Sequence, residues 1–349
     1  MPMCRFPRPA ELTLAAAALL SACATDTLVA PIVPVTRTIT VDASTAYAYL
    51  ALDTISQVVA VASPSASTVW DIGFFATGVT TNGGAAGPGG VSVHCLCQNA
   101  SATTAQLQAM TAANQLGAFD SVTSAMVPAA ASFQPDLLDP VINGWYGGTG
   151  TSATVAAGRS WIVRKTVSGA TILAKFHVTG ITGPSAATPG QVSFQYAIQP
   201  SAGAAFGATQ TAMVTVVSGA PVYFDLGAGG IGTSASWDLA FDGWNIRSNG
   251  GVSGTGSVKA VLDQATPFAS IDAAYAGTAP PQAYRGDTYS GAFAQNAWYR
   301  YNITGTDNQI WPVFNVYLVR RGTAVYKVQL TGYYGATGTP RQVTVRYAK

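Results

Sequence analysis

The sequence predicts an all-β protein with little helix, built as two tandem β-sandwich-type domains. Three observations carry this. Runs of Thr, Val, Tyr and Ser alternate between Gly-rich breaks, the pattern of half-buried strands. Glu11 is the only glutamate and charged residues are 9% of the chain, against about 25% in typical domains, so the usual exposed helix faces have few residues to build them. Six landmarks recur in one order. Trp70-Asp71-Ile72-Gly73-Phe74 returns as Trp237-Asp238-Leu239-Ala240-Phe241, and Asn82-Gly83-Gly84 as Asn249-Gly250-Gly251. Phe119-Asp120-Ser121-Val122 returns as Phe268-Ala269-Ser270-Ile271, Trp145-Tyr146 as Trp298-Tyr299, Lys175-Phe176-His177 as Lys327-Val328-Gln329, and Gln191 to Tyr196 as Gln342 to Tyr347. The spacing far exceeds the roughly 20–50 residues of solenoid repeats, so the copies are whole domains.

Residues 1–22 read as a lipoprotein signal peptide. Arg5 and Arg8 precede the apolar run Leu12 to Leu20, which is shorter than the about 20 residues a membrane span needs. The run ends in Leu20-Ser21-Ala22-Cys23, which resembles the bacterial lipobox and makes Cys23 the lipidation site. Ala24 follows with no adjacent Asp, a pattern that implies sorting to the outer membrane, where acyl chains would anchor the protein. An ordinary signal peptide with small-residue cleavage is the alternative. Residues 23–35 form a tether, 36–200 the first domain, 201–210 a small-residue Gly/Ala linker that follows Pro200 and 211–349 the second domain.

Two hairpins stand out. Ser160 to Lys165 and Thr171 to Val178 flank Ser168-Gly169, and Asn315 to Arg320 and Ala324 to Leu330 flank Arg321-Gly322-Thr323. The copies differ most in one segment. Gly84 and Phe119 are separated by 34 residues, Gly251 and Phe268 by 16. The extra length in the first copy holds His94-Cys95-Leu96-Cys97 and a short helix expected over Thr103 to Gln115.

Composition excludes several functions. Loss of Arg5, Arg8 and Glu11 with the leader lowers the formal charge from +2 to +1, and no basic stripe suggests a nucleic-acid partner. The chain lacks His-Glu-x-x-His, Gly-x-Ser-x-Gly and Walker motifs, and two histidines leave few candidates for acid–base chemistry, so no catalytic residue is assigned and the protein reads as a non-enzyme. Asp71 and Asp238 recur after tryptophan without a recurring partner, which points to hydrogen bonds with backbone N–H groups at a strand end.

Taken together, Trp237-Asp238-Leu239-Ala240-Phe241, Asn249-Gly250-Gly251, Trp298-Tyr299-Arg300-Tyr301, Tyr317-Leu318-Val319-Arg320, Tyr326-Lys327-Val328, Tyr333-Tyr334 and the closing strand resemble the HmuY-like family of outer-membrane haem-binding lipoproteins. The resemblance covers nearly all of residues 211–349 and, more weakly, 36–200. It implies an all-β fold, a lipid-anchored protein at the outer membrane, haem or a related tetrapyrrole as the captured cofactor, and an outer-membrane receptor as partner. The family's founding members hold haem between two axial His or Met side chains. The second copy has no histidine and only Met213 at its edge, so the candidate axial pair is His94 and His177. Three readings stand: a strand histidine and a loop histidine without a ligand; a bis-His haem site; and a metal site of His94, Cys95 and Cys97, whose imidazole and thiolates suit zinc or copper. The competing function is a surface structural or protein-interaction lipoprotein that kept the fold without haem.

Overall fold

Each half of the sequence contributes to both sandwiches of the molecule. The structure, a computed structural model, describes residues 35–53 and 58–349; the leader, Cys23 and tether residues 24–34 lie outside them. One five-stranded antiparallel sheet runs in the order Arg37–Asp42, Pro340–Ala348, Ala324–Tyr334, Val316–Arg321, Val91–Cys95. The other runs Gln210–Thr215, Gln191–Ile198, Ala170–Thr182, Ser160–Val167, Lys259–Asp263. Both sheets mix strands of the two copies.

Each five-stranded sheet packs on a four-stranded one. The first covers the sheet centred on Ala48–Leu50 and Ile72–Phe75, closing on Val41, Ile72, Phe74, Val93, Tyr317 and Val345. The second covers the sheet centred on Val222–Asp225 and Leu239–Asp242, closing on Trp161, Phe176, Phe194, Phe224 and Phe241. Period-two alternation of these apolar residues puts one face of each strand inward. Trp70 and Trp237, 1% and 9% exposed, are core residues.

The boundaries 36–200 and 211–349 therefore mark copies of sequence and not the hydrogen-bonded units. A central unit spans 141–287, the last part of copy one followed by the first part of copy two. A split unit joins 37–136 to 291–348. The chain crosses where Leu137–Asp139 pairs antiparallel with Thr288–Ser290. The physical reason the sequence did not reveal this is that the copies present equivalent interfaces: either second half fits either first half, and residue pattern alone does not choose.

The recurring landmarks prove to be joints of the frame. Asp71 Oδ2 accepts from Leu52 N at 2.8 Å while Oδ1 faces Arg321 Nη1 at 3.2 Å. Asp238 Oδ2 accepts from Leu226 N at 3.0 Å and from Lys165 Nζ at 2.7 Å. Each ion pair joins the two copies. Asn82 donates to Ser67 O and Trp70 O and accepts from Gly89 N; Asn249 does the same with Trp237 O and Gly256 N. A Cβ on Gly83 would lie 1.8 Å from Val91 O, and on Gly250 2.0 Å from Val258 O, so the Asn-Gly-Gly motif permits a close backbone approach. The carboxylates of Asp136 and Asp287 are buried against Thr80 and Thr81 in one unit and Ser248 and Val141 in the other, and burial pushes both pKa values up. Ser168 and Gly169 turn their hairpin at φ 49° and 81°, the two-residue form with both centres left-handed.

Candidate functional site

His94 and His177, the predicted axial pair, lie on separate sheets. His94 sits in the Val91–Cys95 strand opposite Leu318, its Nδ1 3.1 Å from Ser132 O and its ring 6.0 Å from Phe133. It is a strand residue, a correction to the expected loop position: Val91–Cys95 has a counterpart in Lys259–Asp263, and the added length begins after it. His177 lies in Ala170–Thr182 of the central unit, its Nε2 3.1 Å from Gln195 Oε1 and its ring stacked on Phe268 at 4.2 Å with 4° between planes. Desolvation, joined by the charge of Lys175 and opposed by Gln195, lowers its pKa. The two imidazoles do not face one ligand.

The metal reading is also corrected. Cys95 and Cys97 are joined to each other in a disulfide, so neither offers a thiolate, and His94 loses its two sulfur partners. Among the described residues no group of three or more His, Cys, Asp or Glu is placed to hold a metal ion.

The added segment of copy one instead lies over strands of copy two. Its helix spans Thr104–Ala109 with a capping box at Thr103: the Thr103 hydroxyl accepts from Gln106 N and the Gln106 side chain accepts from Thr103 N. The expected helix to Gln115 stops at Ala109 because Thr111 and Asn114 exchange side-chain and backbone hydrogen bonds and Asn114 Nδ2 ties off Ala109 O, which closes a turn. Leu107 and Ala102 bury against Val313, and Asn99 donates to Val313 O. The guanidinium of Arg300 caps the carbonyls of Ala100 and Ala102, and that of Arg346 caps Ala112 O. This seam exists because the halves are exchanged.

Along the seam runs a cleft of about 280 Å³, lined by Leu107, Met110, Trp311, Phe314, Tyr333 and Tyr334 among others. Tyr334 Oη accepts from Ile310 N at 3.0 Å, and the Trp311 indole donates to Asp307 at 2.9 Å, so both rings are held from behind. The matching positions in the central unit, set by strand register, are Thr154 for Trp311, Ile181 for Tyr333 and Thr182 for Tyr334. The aromatic walls thus belong to one unit alone. Sequence reasoning missed Met110, Trp311 and Tyr333-Tyr334 as the lining of this cleft. The available signal was their failure to recur, which a search for recurring landmarks passes over.

The described residues form two exchanged β sandwiches, one of which carries a cleft with an aromatic wall. Comparison with known families places it further: residues 43–196 and 220–347 each match the HmuY protein family, and the chain belongs to that family. Its members are non-enzymatic outer-membrane lipoproteins that capture haem. A solved structure of a candidate lipoprotein from Bacteroides fragilis is 16% identical and covers 40% of this chain and 76% of that one; its TM-score of 0.16 is too low to carry any inference. No curated protein matches.

Proposed function

We propose that this protein captures haem or a related flat tetrapyrrole in the cleft between the added segment and the Ile310–Pro312 and Ala324–Tyr334 strands. The observation that carries the reading is the cleft's aromatic wall beside a thioether, present in one unit and replaced by Thr154, Ile181 and Thr182 in the other. Haem would bring a flat aromatic macrocycle and an iron with open axial positions. Met110 offers a thioether and Tyr334 a phenol oxygen, both known axial donors, while the half-buried Trp311 offers a ring for stacking and the buried Tyr333 backs the wall. The volume lies just under the roughly 300–1,000 Å³ of ligand pockets, which suits a planar ligand held by one edge with the other in solvent.

Titration of the soluble chain with haemin tests this. A saturable Soret shift is expected, altered in Met110→Ala and in Tyr334→Phe and unchanged in His177→Gln. A shift that ignores both cleft variants places the ligand elsewhere; no saturable shift favours the structural or interaction role.

The same reading puts the protein at the outer membrane, anchored through Cys23, where a receptor would take over the ligand. Labelling by a fatty-acid probe should disappear in Cys23→Ala; retained labelling would remove the lipid anchor.

A further inference from the structure

The two units turn the chain off matching edge strands by different chemistry. Register makes Cys95 the counterpart of Leu262 and Leu96 the counterpart of Asp263, so Cys97 answers Gln264. In the central unit the Asp263 carboxylate shapes the turn, accepting from Ala265 N at 2.9 Å and from Thr266 N at 3.0 Å. In the split unit the turn is covalent, with Cys95 and Cys97 joined across Leu96. Cys97 stands at φ 53°, a left-handed conformation that a residue other than glycine adopts at a cost. A bridge that closes so short a loop constrains the unfolded chain little, and the central unit makes the same turn without one. The bridge is therefore not needed for the fold. Both cysteines keep partial exposure, so an outside thiol can reach them.

What the bridge sets is the direction in which the added segment leaves the sheet. Leu96 N donates to Val316 O at 3.0 Å, Gln98 Oε1 accepts from Val316 N at 3.0 Å, and Asn99 N donates to Asn315 Oδ1 at 2.9 Å. Further along, the same segment supplies Leu107 and Met110 to the cleft. We propose that the disulfide of Cys95 and Cys97 is a thiol–disulfide exchange site whose reduction loosens this wall of the cleft. A partner dithiol supplies the two electrons. One of its thiolates attacks a sulfur of the bridge to form a mixed disulfide, and its second sulfur then displaces the cysteine. Cys95 and Cys97 leave as thiols carrying the two protons, and the partner keeps the disulfide. Released from the bridge, Cys97 leaves the left-handed region, and Gln98 and Asn99 lose their register on Val316 and Asn315. The effect on ligand capture rests on the haem reading; the exchange itself does not.

The full soluble chain is equilibrated with reduced and oxidised dithiothreitol and alkylated, so that mass spectrometry finds free thiols at Cys95 and Cys97. Hydrogen exchange follows the backbone of the same samples. Both thiols are expected to appear while the sheets stay protected, and the amides from Gln98 to Ala112 should exchange about tenfold faster. Haemin is then titrated into Cys95→Ser combined with Cys97→Ser, which stands for the reduced form with no reductant to touch the iron. Its affinity should fall about tenfold, and by linkage bound haemin should make the parent's bridge harder to reduce by the same factor. A bridge that resists the dithiol until the sheets unfold, a segment whose exchange does not change, or a serine pair that binds haemin as the parent does, overturns the proposal. If the parent binds no haemin, the haem reading fails alone, and the thiols and hydrogen exchange still decide the site.

Discussion

The split and central units share a frame and differ in what the frame carries. Both have the buried Trp-Asp corner, the Asn-Gly-Gly crossing and a lysine capping the carbonyls after a phenylalanine: Lys175 reaches Phe268 O and Ile271 O, and Lys327 reaches Phe119 O and Val122 O. Among the described residues the split unit alone has the added segment and the Trp311, Tyr333 and Tyr334 wall. Residues that recur between the copies hold the fold, and residues that do not recur line the cleft proposed for the ligand.

The frame is tested by its largest joint. Trp70→Ala should cost about 3–5 kcal/mol in chemical denaturation, the range for truncating a buried aromatic, and Trp237→Ala should approach it. A near-neutral result in either would turn that tryptophan from core into surface. Next come the acids that follow them. Asp71→Ala leaves Leu52 N without its acceptor and Asp238→Ala does so for Leu226 N, each costing about 1–3 kcal/mol. Equal losses in the two units support equivalent joints; a loss confined to one would mean that the ion pairs are not matched.

The smallest effect concerns His177, whose counterpart is Gln329. Burial lowers the His177 pKa below its ordinary 6.5. The unfolded chain therefore binds the proton first as pH falls, and stability declines from about pH 6.5 down through the lowered native value. His177→Gln, which copies the other unit, should flatten that part of the stability–pH curve. A wild-type curve already flat there would contradict the stacked, half-buried ring.

Much of the frame was legible because a duplicated sequence supplies its own comparison. Trp70 and Trp237, the Asn-Gly-Gly motifs and the hairpin glycines each announced a role twice. The hydrogen bonds of Asp71 and Asp238 to backbone were foreseen from their place after tryptophan, but their cationic partners were not, since Arg321 and Lys165 lie in the opposite copy. The same exchange hid the site. Met110 and Tyr334 are far apart in sequence and meet only because copy one lies over strands of copy two. His94 and His177 drew attention as rare residues, and rarity does not set position: the strand pairings send them to different units.

Exchange of halves is the central claim, and cross-strand disulfides test it most directly. Ser92 pairs with Arg320, while Arg164 pairs with Lys259. Facing antiparallel residues lie about 4.5–5.5 Å apart at Cα, within reach of a disulfide. Without the exchange Ser92 would instead face Arg164, the counterpart of Arg320 in copy one. Ser92→Cys combined with Arg320→Cys should form a new disulfide in the folded monomer, read by mass spectrometry of unreduced peptides, while Ser92→Cys combined with Arg164→Cys should stay reduced. The reverse outcome would show each sequence copy folding on itself and would take apart the seam on which the cleft proposed for haem is built.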